Sequence, residues 1–339
     1  MRRSTWILTG FAALLLVLAA VARFAVLPAV HQVPDDVNEN PQYEGTATIL
    51  NQQALASGDL ANAFLVDVPV LMDRHIKVTA TDGDTAVFSD SRVLLGPDGQ
   101  ELTSSEEHWA VDRVSLEARP APEGVDASPH EGLVIGFPLE PEKHDYRWWD
   151  HTTGTEVDAV YTGTEKRDGR TVYGYTIHAE GPMADSGELP QALPRDAVGG
   201  ILASVPGSTV DPATLPEMVP LSYAATTDLV LWIDSGTGTI MDGSHGQNIM
   251  ATTQDGTALF PIADVRVTAT DETKENQADT AKEISLALTL LGVVAPLSLI
   301  GIALLLLALA AWGVRKRRTQ PPATPDEPTT PQPESVTTA

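Results

Sequence analysis

Two long apolar segments at the ends of the chain constrain its fold more than any other feature. The first covers residues 4–28 behind Arg2 and Arg3, and the second covers residues 284–314 ahead of a basic run at 315–318. A helix needs about 20 apolar residues to cross a bilayer, so both segments are predicted to be transmembrane helices. Basic residues flank the outer end of each segment, and the positive-inside rule places both outer ends in the cytoplasm.

This topology divides the chain into five parts and predicts a two-pass protein of the inner (cell) membrane. Residues 1–3 form a cytoplasmic N-terminus, residues 29–283 an extracytoplasmic domain, and residues 315–339 a disordered cytoplasmic tail rich in Pro and Thr. One alternative stays open for the first segment. Ala20-Val21-Ala22 has the small-x-small pattern of a signal-peptidase site, and after cleavage the second helix alone would hold the domain outside.

The region between the apolar segments is strongly acidic. The chain has 46 Asp and Glu residues, and 43 of them lie there beside only 14 Lys and Arg, a net charge of about −29. Such a surface repels phosphate backbones, so nucleic acid is excluded as a partner. Cysteine is absent, which excludes thiol catalysis and thiolate-bound metals.

The middle of the chain is predicted to be mainly β, in an α+β domain that folds as one unit or as two subdomains with an apolar cavity. The dipeptide Asp-Gly, which favours tight hairpin turns, begins at positions 82, 98, 168, 242 and 255. Residues 75–81 are expected to pair with 85–95, and residues 158–165 with 171–180. Residues 257–270 alternate between apolar and polar side chains and are predicted to form a long strand.

Two stretches of the domain depart from the β pattern. Residues 180–220 contain seven prolines and are predicted to form an irregular excursion, with short helical turns at 187–193 and 212–218. It is either a functional lid or a surface loop that only connects. Residues 271–283 are polar and helix-prone, and we expect a helical stalk that continues into the second transmembrane helix and holds the domain off the bilayer.

No catalytic or cofactor motif is found, so the chain is predicted to be non-enzymatic and to need no cofactor. His144 and His151 flank the densest aromatic cluster, but a metal or catalytic role would require a third ligand that the sequence does not identify.

Aromatic residues in this part of the chain are the candidate binding residues. Adjacent Trp side chains on a strand point to opposite faces, and each offers a large apolar surface. Six residues are therefore candidates for contact with a lipid in an apolar cavity: Phe137, Tyr146, Trp148, Trp149, Tyr161 and Tyr173. The alternative is that the same residues form an ordinary β core.

Several short motifs, taken in order, resemble the actinobacterial two-span envelope proteins described as the porin PorA family. They are Tyr43-Glu44-Gly45-Thr46, Val111-Asp112-Arg113, Gly136-Phe137-Pro138, Tyr146-Arg147-Trp148-Trp149-Asp150, Tyr161-Thr162-Gly163-Thr164-Glu165, Gly169-Arg170-Thr171-Val172-Tyr173, Thr237-Gly238-Thr239-Ile240 and Gln277-Ala278-Asp279. Members of this family are similar to a mycobacterial polar growth factor and to a protein of lipomannan maturation.

The resemblance implies a role in envelope lipid or lipoglycan traffic. The expected ligand is an envelope lipid of the mycolate or mannosyl-inositol type, and the expected partner is a lipid transporter, a glycosyltransferase or another envelope-synthesis enzyme. No catalytic residues come with the resemblance. Two alternatives stay open: a membrane scaffold or sensor that recruits cell-wall synthesis proteins, and an envelope hydrolase.

Overall fold

The protein consists of two compact units. The structure is a computed structural model and describes residues 3–187, 189–205 and 207–318. The first unit contains both ends of the chain, up to Pro28 and from Thr289 onward, and the second spans Ala29–Leu288. The predictions for residues 1–2 and for the tail from residue 319 lie outside the described residues.

The described residues form six α-helices and thirteen strands. The helices are α1 (Arg3–Val21), α2 (Leu27–Val30), α3 (Gln52–Ser57), α4 (Arg195–Ala203), α5 (Asp271–Thr289) and α6 (Ala295–Arg318). The strands are β1 (Asn38–Glu39), β2 (Gln42–Leu50), β3 (Phe64–Asp82), β4 (Thr85–Leu95), β5 (Glu101–Asp112), β6 (Tyr146–Asp150), β7 (Thr155–Arg167), β8 (Arg170–Pro182), β9 (Ala192–Pro194), β10 (Met218–Pro220), β11 (Ser222–Asp234), β12 (Ile240–Thr252) and β13 (Ala258–Ala269).

The first unit is a pair of apolar helices. Helical segments at Trp6–Val30 and Asp271–Trp312 are long and apolar enough to cross a membrane. Alanines are buried where α1 and α6 pack together, at positions 12, 19, 303 and 310. Small residues let two helix backbones approach closely in lipid. Helix α6 continues to Arg318, so the basic run 315–318 is helical and does not begin the tail.

The second unit is built on one eleven-stranded antiparallel sheet. Its strand order is β5-β4-β3-β2-β13-β12-β11-β8-β7-β6, with β1 beside β3. Strands β9 and β10 form a separate pair. The predicted architecture, two apolar helices flanking a mainly β domain, is confirmed.

Asp-Gly turns set most of the hairpins. Asp168 and Gly169 have φ of 49° and 76° at the β7–β8 turn, the positive values that the tight turn requires. The predicted pairings of β3 with β4 and of β7 with β8 are present. The hairpin signal at position 242 is wrong: Asp242 and Gly243 lie inside β12, where Gly243 faces Leu231 and leaves room for its side chain.

The sheet curls into a half-barrel. Phe88 and Trp109, near one end of the strand order, share an apolar core with Trp148 and Tyr175 near the other end. The segment between β5 and β6 covers the gap between the two edges. The N–H of Ser128 donates to the carbonyl of His108 on β5 at 2.8 Å, and Leu133 pairs with Trp148 on β6.

The proline-rich excursion is more regular than predicted. Helix α4 lies inside it and buries Val198 and Ile201 in a second apolar cluster with Phe260. The helical turn expected at 187–193 is not found among the described residues of that stretch, and at 212–218 only Pro212–Thr214 form a 3-10 turn. Pro194 precedes the first helical residue of α4, where proline does not interrupt helical hydrogen bonds.

Helix α5 lies against the sheet. Ala281 is fully buried beside Val172 and Met241. Arg170 Nη2 donates to Ser285 Oγ at 2.6 Å, and the Gln42 N–H donates to Thr273 Oγ1 at 2.8 Å. The segment predicted as a stalk is therefore helical, and it packs along the domain.

Candidate functional site

The second unit contains an apolar cavity of about 300 Å³. Buried Ile76 and Phe88 form its floor, while Pro34 and Val114 lie on an exposed rim. Most of its remaining wall comes from four segments that are far apart in sequence: residues 30–34, 135–139, 237–240 and the end of α5 at 284–288. Pockets for small ligands commonly hold 300–1,000 Å³, so this cavity admits one small apolar ligand or a segment of a longer chain.

A hydrogen-bonded turn after β11 positions one wall of the cavity. Asp234 Oδ1 accepts hydrogen bonds from the N–H groups of Gly236 and Thr237 at 3.1 and 2.9 Å. Arg170 binds both carboxylate oxygens of Asp234, at 2.6 and 2.9 Å. Burial alone would raise the pKa of Asp234, but Arg170 and the turn donors outweigh it and lower that pKa.

The turn after β11 and the loop at residues 136–140, which form this wall, contact each other directly. Gly238 has φ of 72°, and a Cβ there would collide with the carbonyl oxygens of Phe137 and Pro138. The N–H of Glu140 donates to the carbonyl of Gly236 at 3.3 Å. Glycine at 238 is therefore required by both the turn and the close approach.

A smaller chamber of about 60 Å³ lies next to the apolar cavity. Tyr43, Arg74, Ile240 and Gly243 line both spaces, so these residues form a shared wall. The rest of the lining combines apolar side chains with polar ones. Met72, Val134 and Leu231 are among the apolar residues, and the polar ones include Arg92, His151, His245, Asp150 and Thr227.

A buried ion cluster forms one side of the chamber. Arg74 binds Asp90 through Nε at 2.7 Å and Nη2 at 2.9 Å, and Arg92 Nη2 binds the same carboxylate at 2.6 Å. The Asp90 side chain is 1% exposed. Burial acts to raise the pKa of Asp90, but the two guanidinium groups outweigh it and hold that pKa well below its usual range.

The two histidines of the chamber stay neutral. Arg92 Nη1 donates to His151 Nε2 at 2.8 Å, which requires an unprotonated nitrogen there. Burial, followed by the charges of Arg92 and Arg74, lowers the pKa of His245 to about 3. Burial and Arg92 also hold the pKa of His151 well below its usual value.

Two buried polar atoms of the chamber lack a hydrogen-bond partner within the described part of the chain. They are His245 Nε2 and Thr227 Oγ1. Asp150 differs, because its Oδ2 accepts from the N–H and the hydroxyl of Thr153 at 2.9 and 2.7 Å. Buried polar atoms are usually hydrogen-bonded, so these two atoms are available to a water molecule or to another group in the chamber.

The six aromatic residues predicted from the sequence lie in one region of the half-barrel. Phe137 packs at 5.3 Å from Tyr146 and 5.9 Å from Trp148, measured between ring centroids, and Tyr161 is 6.0 Å from Tyr173. Phe137 lines the apolar cavity, and Trp148 and Trp149 line the chamber. Tyr146, Tyr161 and Tyr173 pack around the apolar core, and the lining of neither space includes them. Their contact with a lipid stays a prediction.

His144 and His151 have separate partners. His144 packs on the ring of Tyr146 at 4.3 Å and is half exposed, whereas His151 is bound by Arg92. Across residues 3–187, 189–205 and 207–318, no three His, Asp or Glu side chains converge as metal ligands.

The ion cluster was missed in the sequence, although a signal for it exists. Phe88, Asp90 and Arg92 alternate along β4 on one face. Side chains two residues apart on a strand point to the same face, so Asp90 and Arg92 are predicted to share the inner face with Phe88. Their polarity taken alone would have placed them on the outer face.

The sequence matches the family model described as Porin PorA over residues 5–312. The chain belongs to the PorA family. Among curated proteins, none matches it.

Solved structures give only remote similarity. A MaoC domain protein from Chloroflexus aurantiacus J-10-fl is 10% identical, with 77% of this chain and 80% of that chain covered, at a TM-score of 0.15. The acyl-CoA thioesterase II TesB2 from Mycobacterium marinum is 11% identical over 68% and 79% of the two chains, at 0.13. A hot dog fold protein from Alicyclobacillus acidocaldarius is 14% identical over 72% and 83%, also at 0.13. Scores this low carry no argument about function.

Proposed function

We propose that this protein binds an envelope lipid and hands it on, as a non-enzymatic accessory of a lipid transporter or of an envelope-synthesis enzyme. The apolar cavity carries the proposal. Its lining begins at Val30 and ends at Leu288, the residues closest in sequence to the two apolar helices. The lining is thus continuous along the chain with both candidate membrane spans.

The cavity supplies the driving force for holding part of an acyl chain. Each methylene removed from water contributes about 0.8 kcal/mol, so roughly five methylenes contribute about 4 kcal/mol before the cost of ordering the ligand. The volume suits one chain segment, and the rest of a mycolate-type or mannosyl-inositol lipid would remain outside the cavity.

The proposed location is the inner membrane, with both termini in the cytoplasm and the half-barrel outside. Because the natural chain has no cysteine, one introduced cysteine gives a clean test. Glu123→Cys, at an exposed position, should react with a membrane-impermeant maleimide in intact cells. Reaction only after lysis would overturn the orientation.

Lipid binding is tested by filling the cavity. Gly136 lines it, has open space around its Cβ position and has no positive φ, so Gly136→Leu should reduce the cavity with little backbone strain. Gly246→Leu is the matched control, because Gly246 lies on β12 outside both cavities.

The measurement is mass spectrometry of lipid that copurifies with the full-length protein in detergent. We expect severalfold less bound lipid for Gly136→Leu and no change for Gly246→Leu. Equal lipid content in both variants, or no lipid in the natural protein, would refute the proposal. Deleting residues 319–339 addresses the scaffold alternative, since lipid handling predicts no loss of function.

A further inference from the structure

We propose that the chamber beside Arg74 and Arg92 binds the anionic head, a carboxylate or a phosphate ester, of a lipid whose chain lies in the apolar cavity. This inference rests on the proposed function and adds the chemical class and the direction of the ligand. The head would lie against Arg74 and Arg92, with the chain running outward toward the rim.

The two spaces are arranged for one amphipathic ligand. Arg74 lines both of them, and its side chain is 12% exposed. On the cavity side it is followed by the buried apolar residues Ile76 and Phe88. A head in the chamber and a chain in the cavity would therefore lie on either side of the Arg74 side chain.

The chamber offers donors that an acceptor-only group would satisfy. Arg74 and Arg92 share the single carboxylate of Asp90. Thr227 Oγ1 and His245 Nε2 have no partner in the described ranges, and each can donate a hydrogen bond when the histidine is neutral. A carboxylate or phosphate has only acceptor oxygens, so one such group can pair with both kinds of donor.

Two buried carboxylates, Asp90 and Asp150, offset the charges of Arg74 and Arg92, so the preference for an anion rests on the unpaired donors. Asp150 is engaged by Thr153. The acids that line the outer cavity are Glu39 and Asp242, and Asp242 is paired with Arg167. An anionic head placed at the outer end would meet Glu39, and the cation there, Arg113, already donates to Val33. The unpaired donors Thr227 Oγ1 and His245 Nε2 therefore favour the head in the chamber over the outer end.

Size limits what the chamber can take. A water molecule needs roughly 10–15 Å³ of such volume, so about 60 Å³ admits a few atoms. A carboxylate fits, and the oxygens of a phosphate monoester fit closely, but a sugar ring does not. Water alone is the competing occupant.

The test compares ligands that differ only in the head. Full-length protein in uncharged detergent at pH 8 is titrated with hexadecanoate, hexadecyl phosphate and hexadecanol, and separately with acetate and inorganic phosphate. We expect at least one of the two chain anions to bind roughly tenfold more tightly than the alcohol, the size of one hydrogen bond to a charged group.

Thr227→Val probes the chamber without changing side-chain shape. It should remove most of the preference for the anion and leave alcohol binding unchanged. Thr226→Val is the control, because the neighbouring residue points to the other face of β11. Thr227 Oγ1 has no hydrogen-bond partner among the residues that the structure describes, so the variant should fold as stably as the natural protein.

The other outcomes distinguish failure of the inference from failure of the proposed function. If the alcohol binds as tightly as both anions, or Thr227→Val changes nothing, the chamber holds only water and the inference fails while the proposed function stands. If acetate or inorganic phosphate alone displaces the chain anion, the chamber belongs to a free anion and the assignment to a lipid head fails. If no chain ligand binds, the proposed function and the inference fail together.

Discussion

Arg113 holds Val33 through three hydrogen bonds. Its Nε and Nη2 atoms donate to the carbonyl oxygen of Val33 at 2.9 and 2.6 Å, and its own carbonyl accepts from the Val33 N–H at 2.7 Å. Both residues line the apolar cavity. The end of β5 therefore fixes the chain segment that forms one side of the rim.

Removing this clamp should loosen the rim. For Arg113→Met we expect faster amide hydrogen exchange in residues 30–37, because bonds to a charged donor are each worth about 1.5–3 kcal/mol. Exchange of full-length protein in detergent, resolved by peptide, measures it. Arg266→Met is the control, since Arg266 is exposed and forms a surface ion pair with Asp264. Unchanged exchange at 30–37 would show that the segment is held by other contacts.

The ion cluster should be the costliest polar site to disturb. Asp90→Asn leaves two buried guanidinium groups without their carboxylate, and breaking a buried pair typically costs about 3–5 kcal/mol. Asp264→Asn, at a solvent-exposed pair, should cost at most about 1 kcal/mol. Urea unfolding of both variants in detergent measures the difference. Similar losses in the two variants would contradict the assigned role of the cluster.

Mild acid should destabilise the domain through the chamber histidines. The pKa of His245 is about 3 in the folded protein, below its unfolded value of about 6.5. Stability is therefore complete above pH 6.5 and is lost as pH falls, by up to about 1.4 kcal/mol per pH unit. His151 acts in the same direction.

The comparison for this pH dependence is His245→Gln against His178→Gln. Unfolding free energies at pH 5.0 and 7.5 should differ less for His245→Gln than for the natural chain. His178 lies exposed on the outer face beside Asp228, away from the buried cluster. A pH dependence that is unchanged in His245→Gln would refute the prediction.

Two glycines with positive φ should respond differently to alanine. Gly256→Ala meets no atom within 4 Å and pays only for its φ of 86°, about 1 kcal/mol. Gly238→Ala adds a collision with the backbone of Phe137 and Pro138, so we expect a loss of roughly 2–4 kcal/mol. Thermal unfolding measures both. Equal losses would mean that the loop can move away without cost.

Local chemistry made part of this fold readable in the sequence. Asp168-Gly169 predicts its hairpin because the tight turn depends only on two adjacent residues that both accept a positive φ. Asp242-Gly243 misleads for the same reason, since Gly243 is needed for side-chain room beside Leu231. Helix α4 was obscured by surrounding prolines, although Pro194 stands where a helix tolerates one.

The cavity and the chamber could not be read in the same way. Their walls combine residues as distant as Val33, Arg74 and Ile240, which only the curled sheet brings together. A single sequence contains no local pattern for such pairings. The aromatic cluster was found because its members lie close in sequence.

The pairing of β2 with β13 determines when the central sheet can finish folding. Tyr43 faces Ala269 in the middle of the sheet, so strands from the two ends of the domain form its central ladder. Contacts between such distant residues form slowly. Until the last strand has been synthesised, β2 presents an unpaired edge to its surroundings. The central pairing of the sheet therefore cannot form before β13 has been made. A chain truncated before residue 258 would leave β2 with an exposed, unpaired edge that can pair with other chains.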